Sequence, residues 1–218
     1  MLRLASGSPR RIELVSLLGI PFEAVEPGID ESAHEDPAIA KAEACHVPGE
    51  VTLGADTLID LDGERIGKPA DAEDAKRMLR LLAGRDHVVR TSVMVIGAAG
   101  RRLRFAVRSR VRTREPDDAR IEAYVATGEP LGKAGAYAIQ GAGADLITGY
   151  DGCYANIVGL PICHAYFALR RMGVVAATMP EPAFAARFGF ECPAYRCAYA
   201  QGRALRDGAE YASWSERV

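Results

Sequence analysis

The 218-residue sequence has few cysteines, few histidines, little net charge and no long apolar run. Its five cysteines are odd in number and scattered, so we expect reduced thiols rather than a disulfide framework. No apolar run approaches the length of a membrane span, and early arginines interrupt any signal-like segment. A net charge of −2 argues against general nucleic-acid binding. These absences predict a cytoplasmic protein that binds neither a membrane nor nucleic acid.

Several common catalytic signatures are also missing. The sequence has no Gly-x-Ser-x-Gly elbow and no His-Glu-x-x-His zinc motif, and we expect its scattered histidines to be structural or exposed. Residues 128–134 look like a phosphate-binding loop, but the loop has one residue too few between its glycines. Ala134 also stands where a serine or threonine would bind magnesium. We therefore exclude a Walker-type site.

The apolar residues that are present follow strand and helix spacings in alternation, which indicates an α/β or α+β sheet rather than a regular βαβ series. Strands are predicted at 2–5, 22–25, 51–61, 64–67, 88–96 and 103–111, and on both sides of a turn at 151–152, the second reaching residue 158. Helices are predicted at 9–19, 37–45, 72–84, 116–126 and 161–172. Residues 1–173 are predicted to form one domain. Residues 174–218 are predicted to be a partly helical extension, punctuated by prolines and without a clear strand pattern, that packs on the core or on a partner.

The first strand runs into a turn with the features of an anion site. Ser8 is suited to the N-cap of the first helix and Pro9 to its first position. Arg10 and Arg11 then fall in the first turn, where the helix dipole disfavours positive charge. Free N–H groups and guanidinium groups at a helix start bind phosphate well. We expect a phosphate here; the alternative is a pair of solvated arginines.

Asp56 lies inside the strand predicted at 51–61, where an unpaired charge is costly to bury. We expect a catalytic or metal-binding carboxylate; the alternative is an aspartate that caps a neighbouring turn. Lys68 follows on the next strand. A two-residue turn at Asp62-Gly63 pairs Lys68 with Thr57 and places it on the face opposite Asp56, whereas a three-residue loop places it across from Asp56. The sequence leaves both registers open.

Three further residues are candidates for binding or catalysis. Glu31 lies in a loop after a strand, where α/β proteins often bind ligands. Gln140, between glycines, offers a hydrogen-bond donor and an acceptor to a base edge, and Tyr137 offers a ring for stacking. Two carboxylates, a lysine and an arginine-rich anion site are the groups used in metal-assisted phosphoryl chemistry.

A row of arginines alternates with apolar residues along the strand predicted at 103–111. Its members are Arg102, Arg104, Arg108, Arg110 and Arg112. We expect a solvated edge strand that resists aggregation. Nucleic-acid contact is the alternative, and it is disfavoured by the acidic net charge and the lack of interleaved aromatic residues.

Five separated motifs occur in order along the chain. They are Leu4-Ala5-Ser6-Gly7-Ser8-Pro9-Arg10-Arg11, Gly54-Ala55-Asp56-Thr57, Gly67-Lys68-Pro69, Lys133-Ala134-Gly135-Ala136-Tyr137 with Ile139-Gln140-Gly141, and Val158-Gly159-Leu160-Pro161. Their order and spacing over residues 2–172 resemble those of the Maf family of nucleoside triphosphate pyrophosphatases. The resemblance implies an α/β fold of the Maf/ITPase-like type, with a twisted mixed sheet flanked by helices and a cleft between two lobes. It also implies a homodimer and hydrolysis, dependent on Mg²⁺ or Mn²⁺, of a nucleoside triphosphate to monophosphate and pyrophosphate.

The same resemblance assigns roles to individual residues. Asp56 and Lys68 are the implied catalytic residues, and Glu31 and Asp56 the implied metal ligands. The implied substrate-binding residues are Ser6, Ser8, Arg10, Arg11, Lys41, Thr57, Tyr137 and Gln140. The Ala-Tyr-x-Ile-Gln-Gly version of the fourth motif resembles the subgroup that acts on dTTP and UTP. Only nine residues, 32–40, separate Glu31 from Lys41, fewer than is usual in the family, so this wall of the cleft is expected to be shortened or rebuilt. A non-catalytic nucleotide-binding regulator on the same fold is the alternative function.

Overall fold

The computed structural model describes residues 1–115, 117–192 and 194–212. One mixed sheet of eight strands runs through these residues. The strands are β1 (Leu2–Ala5), β2 (Phe22–Val25), β3 (Val51–Leu61), β4 (Glu64–Ile66), β5 (Asp86–Ile96), β6 (Arg102–Thr113), β7 (Ile147–Asp151) and β8 (Ala209–Ala212). Their order is β2-β1-β3-β5-β6-β7, with β4 paired to β3 and β8 paired to β6. β1 is parallel to both of its neighbours, whereas β3, β5, β6 and β7 pair antiparallel.

Helices flank this sheet, which confirms the predicted mixed α/β architecture. They are α1 (Pro9–Ser16), α2 (Pro37–Cys45), α3 (Ala72–Leu82), α4 (Asp118–Ala126), α5 (Tyr154–Val158), α6 (Ile162–Arg171), α7 (Pro180–Phe188) and α8 (Tyr195–Arg203). Short 3₁₀ turns lie at Glu31–Ala33, Ala134–Ala136 and Gly141–Leu146. The predicted helix start at Pro116 and the proline at 193 lie outside the described residues.

The three long central strands form the core of the sheet. Ala55, Val93 and Phe105 make one buried row across β3, β5 and β6. Because side chains alternate along a strand, Asp56 projects from the opposite face, as does Gly54. Helix α2 packs on that face: a Cβ added at Gly54 would lie 2.5 Å from the carbonyl oxygen of Ala38. The close approach of α2 therefore depends on a glycine in β3.

The strand predicted to reach residue 158 is wrong, because residues Tyr154–Val158 form helix α5. All five residues of this helix are buried. A segment buried on every side shows neither strand nor helix periodicity, so its length and its β-branched residues gave a misleading signal.

Two further predictions are also wrong, one about the extension and one about the arginine-bearing strand. Strand β8 lies in the extension, where no strand was expected, and pairs parallel with β6. The arginine-bearing strand β6 is not an edge, because β5 lies on one side of it and β7 and β8 lie on the other. Its arginines meet carboxylates: Arg104 pairs with Asp36 and Arg102 with Glu43. Four residues such as Ala209–Ala212 are too few to show an alternating pattern.

Candidate active site

The turn after β1 opens next to Asp56, because Ala5 at the end of β1 pairs with Gly54 of β3. Ser6 Oγ accepts a hydrogen bond from the Ser8 backbone N–H at 3.2 Å. Pro9 occupies the first turn of α1 as expected, and Ser8 is the N-cap residue, although its side chain makes no capping hydrogen bond. The first-turn N–H groups of α1 therefore face the site without a side-chain cap.

Arg11 extends from α1 into the protein and makes three polar contacts. Its Nε donates to the Gly159 carbonyl oxygen at 2.9 Å, and its Nη2 donates to Thr57 Oγ1 at 3.1 Å. Its Nη1 lies 3.5 Å from Ser6 Oγ. Burial lowers the pKa of Arg11, and the nearby Asp56 carboxylate acts in the opposite direction. Arg11 is therefore not the solvated arginine that the sequence left open as an alternative.

A chain of alternating charges links four residues beside this turn. The Lys41 ammonium, whose residue is 4% exposed, donates to Asp56 Oδ1 at 2.7 Å and lies 2.9 Å from Glu31 Oε1. Lys68 Nζ donates to both Glu31 oxygens, at 2.8 and 2.7 Å. Burial by itself raises the pKa of Glu31, but hydrogen bonds from Lys68 and Lys41 outweigh it and bring the pKa to about 2. The short segment 32–40 therefore still brings Lys41 to both carboxylates.

The position of Lys68 resolves the register that the sequence left open. Leu61 pairs with Glu64, so the turn at Asp62-Gly63 has two residues. Strand β4 ends at Ile66, however, so Lys68 has left the ladder and is not held to one face of the sheet. Its ammonium connects to Asp56 through Glu31 and Lys41.

Two adjoining openings contain all the residues predicted for the site. The outer opening is lined by Ser6, Ser8, Arg10, Arg11, Glu31, Lys41 and Lys68, among others. The inner opening shares Ser8, Arg10, Arg11 and Lys68 with it and adds Asp56, Thr57, Tyr137 and Gln140. Apolar side chains form the remaining wall of the inner opening, including Ile59, Val89, Ile139 and Ile157. The arrangement offers a cationic outer chamber joined to an inner one, and the inner one combines Arg10, Arg11 and Lys68 with an apolar wall and Asp56.

Tyr137, which lines the inner opening, is paired with the buried His87. The Tyr137 hydroxyl and His87 Nε2 lie 2.7 Å apart, and the two rings make an edge-to-face contact. Burial lowers the pKa of His87 to about 4, so its ring is neutral at pH 7. His87 accordingly holds the ring of Tyr137 rather than supplying charge to the opening.

Sequence reasoning missed two residues that line these openings. Lys133 borders both; it begins the fourth motif, but no role was predicted for it because the loop at 128–134 lacks the Walker pattern. Burial lowers the pKa of Lys133, and the neighbouring charge of Arg10 acts in the same direction. Glu26 borders the outer opening, and its carboxylate occupies the space that a side chain at Gly7 would fill. A lysine after a glycine, followed by a second glycine-rich motif, was the available signal for Lys133.

Residues 1–172 match the protein family described as Maf-like protein. The chain belongs to the Maf family. This Maf sequence is 43% identical over 182 residues to the dTTP/UTP pyrophosphatase of Pelotomaculum thermopropionicum, with 78% of this chain and 95% of that protein covered. It is 47% identical over 181 residues to the dTTP/UTP pyrophosphatase of Anaeromyxobacter sp. strain Fw109-5, with 78% and 88% covered. These matches confirm the family that the five motifs indicated.

Among solved structures, the Staphylococcus aureus Ham1 protein is similar to this Maf chain with a TM-score of 0.44 and 16% identity, over 67% of this chain and 79% of that one. Across residues 1–115, 117–192 and 194–212, no helix combines the length and the apolar character needed to cross a membrane.

Proposed function

We propose that this protein hydrolyses dTTP or UTP to the nucleoside monophosphate and pyrophosphate. The observation that carries the proposal is the position of Asp56, which lines the inner opening together with cations and an apolar wall. The cations can bind a triphosphate, and the apolar wall can pack against a pyrimidine base. The names of the relatives, dTTP/UTP pyrophosphatase, support the same substrates.

The phosphates are proposed to bind to the cations around the turn after β1. Arg10, Arg11 and Lys68 line both openings, and Arg11 Nη2 donates to Thr57 Oγ1. The start of α1 adds backbone N–H groups, which favour an anion. Ser6 and Ser8 add short polar side chains at the same end of the helix.

Asp56 is proposed to act as the general base. Its carboxylate accepts a water proton as the water oxygen attacks the α-phosphorus, and the bond from that phosphorus to the bridging oxygen of the β-phosphate breaks. Pyrophosphate then leaves with the bonding electron pair, and the proton passes from Asp56 to solvent. Lys41, at 2.7 Å from Oδ1, holds the carboxylate in place, while Lys68 offsets charge on the leaving group.

We propose that Glu31 and Asp56 hold a magnesium or manganese ion. Both carboxylates contact the Lys41 ammonium, at 2.9 and 2.7 Å, so they lie close to each other and face the same cation. Within the described ranges there is no cluster of three or more His, Cys, Asp or Glu side chains that would form a complete metal cage. Mg²⁺ is commonly held by one or two carboxylates, with substrate phosphates and water as its other ligands. Such an ion supplies neutralisation of charge on the phosphate oxygens.

Base selection is proposed to lie in the inner opening. The Gln140 amide provides a donor and an acceptor there, and Tyr137 provides part of the wall. Thr57 is proposed to act through Arg11, because its hydroxyl already contacts Arg11 Nη2 and lies 2.9 Å from Thr91 Oγ1. A homodimer and a cytoplasmic location stay predictions.

A panel of triphosphates tests the proposed function. Pyrophosphate release is measured from dTTP, UTP, CTP, ATP and GTP with Mg²⁺, with Mn²⁺ and with a chelator. We expect kcat/KM for dTTP and UTP to exceed the other values by at least about ten-fold, a margin that a few specific hydrogen bonds supply. Thermal stabilisation by dTTP without release of pyrophosphate would support the non-catalytic regulator instead.

A further inference from the structure

We propose that Tyr124 and Glu129 are positioning residues that fix the loop carrying Gln140 and thereby set the affinity for the nucleobase. The inference rests on the proposed function, in which Gln140 contacts the base. Neither residue lines the openings described above. Their contacts are to the backbone on both sides of Gln140, and we call them the Tyr124–Glu129 pair.

Tyr124 holds the segment that precedes Gln140. It lies in α4 and is 5% exposed. Its hydroxyl donates to Glu129 Oε1 at 2.9 Å and accepts the backbone N–H of Ala138 at 3.2 Å. A single phenolic oxygen therefore ties the chain two residues before Gln140 to the carboxylate of Glu129.

Glu129 holds the segment that follows Gln140. Its Oε2 accepts the backbone N–H of Ala142 at 3.1 Å, and its Oε1 accepts that of Gly143 at 3.0 Å. Burial by itself raises the pKa of Glu129, but the backbone hydrogen bond from Gly143, the Tyr124 hydroxyl and the backbone hydrogen bond from Ala142 lower it overall. The ionised carboxylate is the form that accepts all of these hydrogen bonds.

The absence of a side chain at Gly143 allows the loop to pack closely against the Tyr124–Glu129 pair. A Cβ added at Gly143 would lie 2.5 Å from the Tyr124 hydroxyl and 2.4 Å from the Ala138 carbonyl oxygen. Residues 137–140 belong to no helix or strand, so no regular ladder fixes the backbone there. The side-chain hydrogen bonds to Ala138, Ala142 and Gly143 take the place of that ladder on both sides of Gln140.

This placement separates the base end of the site from its phosphate end. Ala138, Ile139 and Gln140 line the inner opening and are absent from the residues that line the outer one. Loss of the Tyr124 hydroxyl should therefore weaken contacts to the base, while it keeps the Glu129 charge that lies near Arg10 and Lys133 at the phosphate end. Contacts made equally in the ground state and the transition state change KM rather than kcat.

Tyr124→Phe is the sharpest variant, because it removes the hydroxyl and keeps the ring. We expect KM for dTTP and UTP to rise about ten-fold, with kcat within about two-fold. Inorganic tripolyphosphate serves as a base-free competitor of dTTP, and its Ki should stay within about two-fold because it occupies only the phosphate end. Glu129→Gln should raise KM as well, but it also removes a negative charge near Arg10 and Lys133 at the phosphate end. Glu129→Asp keeps that charge and should recover part of the loss.

Two matched controls accompany these variants. Tyr211→Phe also removes a hydroxyl that accepts a backbone N–H, from Arg206 at 2.8 Å, but in the extension. Glu122→Gln removes a carboxylate of α4 that pairs with Lys76 on the surface. Both should leave KM for dTTP and the Ki of tripolyphosphate unchanged. Equal losses of affinity for dTTP and tripolyphosphate in Tyr124→Phe would overturn the positioning role.

Hydrogen exchange of the substrate-free protein separates this inference from the proposed function. Tyr124→Phe should speed amide exchange at Ala138, and Glu129→Gln should speed it at Ala142 and Gly143, each by about ten-fold or more, while the controls do not. Unchanged exchange in both variants would overturn the inference even in an active enzyme. Faster exchange with an unchanged KM would also overturn it. A wild-type protein that releases no pyrophosphate from any triphosphate would refute the proposed function. In that case amide hydrogen exchange alone would test whether the Tyr124–Glu129 pair fixes the loop.

Discussion

Lys41 is a buried cation that faces two carboxylates. A buried ammonium is costly unless it is paired, and Lys41 contacts Asp56 at 2.7 Å and Glu31 at 2.9 Å. Lys68 provides a second cation on Glu31, so two positive charges balance the two negative ones. The charge balance at the site depends on side chains from four separate segments of the chain.

Replacing Lys41 by methionine should destabilise the protein, because it removes the ammonium that is hydrogen-bonded to the largely buried Asp56 carboxylate. We expect the free energy of unfolding to fall by about 3 kcal/mol, measured by urea denaturation at pH 7. Lys76→Met is the matched control, since Lys76 pairs with the exposed carboxylates of Glu73 and Glu122. The control should lose about 1 kcal/mol or less. Equal losses in the two variants would contradict the account of Lys41.

The sequence predicted individual site residues unevenly. Asp56 was found because an aspartate inside an apolar strand is conspicuous, and Arg10 and Arg11 because cations are unusual at a helix start. Lys41 came only from the family resemblance, since one lysine in an alanine-rich helix carries no signal of its own. Glu129 was missed because its role depends on backbone N–H groups more than ten residues away, and sequence spacing does not show such contacts.

At the scale of elements, α2 is held to the sheet by its N-cap residue and by its backbone. Its N-cap residue Asp36 accepts hydrogen bonds from Ser92 of β5 and Arg104 of β6. Further along, the helix backbone at Ala38 and Ala42 packs directly on Gly54 of β3. These contacts explain why α2 delivers Lys41 to the site although the segment after Glu31 is short.

Gly54→Ala should displace α2 and reduce activity. The added methyl group would meet backbone atoms, the Ala38 oxygen at 2.5 Å and the Ala42 nitrogen at 2.8 Å, which cannot move aside as a side chain can. We expect a loss of about 2 kcal/mol in unfolding free energy and about ten-fold or more in kcat/KM for dTTP. The stability control is Gly67→Ala, where an added Cβ meets nothing within 4 Å. Wild-type activity and stability in Gly54→Ala would refute this role for the α2 contact.

The sequence pattern predicted long or well-capped elements better than short ones. β3 and α2 were predicted with the bounds that the structure has, Val51–Leu61 and Pro37–Cys45, because each is long enough or capped well enough to show its period. Helix α5 and strand β8 failed for a common reason: each has five residues or fewer, and tertiary contacts alone decide its conformation.

At the scale of the whole molecule, two buried histidines connect separate elements of the fold. His87 of β5 contacts Tyr137, and His164 of α6 lies 3.2 Å from Gln201 Oε1 of α8 in the extension. Burial lowers the pKa of each histidine to about 4, opposed at His164 by the hydrogen bond to Gln201. Both rings are therefore neutral in the folded protein near pH 6, whereas an unfolded chain takes up protons there.

Stability should fall as the pH is lowered from about 6.5 towards 5. The folded pKa values lie below the unfolded value of about 6.5, so this stability is fully present above pH 6.5 and is lost as the pH falls towards 4. Each histidine contributes up to about 1.4 kcal/mol per pH unit. His164→Gln should reduce the slope of unfolding free energy against pH in this interval, measured by urea denaturation. A slope identical to that of the wild type would contradict the burial account.

The most direct test of the central claim is pyrophosphate release from dTTP by the wild-type protein and by Asp56→Asn, with Mg²⁺ or Mn²⁺ present. The account predicts that wild-type protein forms dTMP and pyrophosphate in equal amounts. It also predicts that the variant, which keeps the shape of the side chain but cannot accept the proton, loses about 10³-fold in kcat. Release by Asp56→Asn at the wild-type rate, or wild-type formation of dTDP and phosphate instead, would contradict the account.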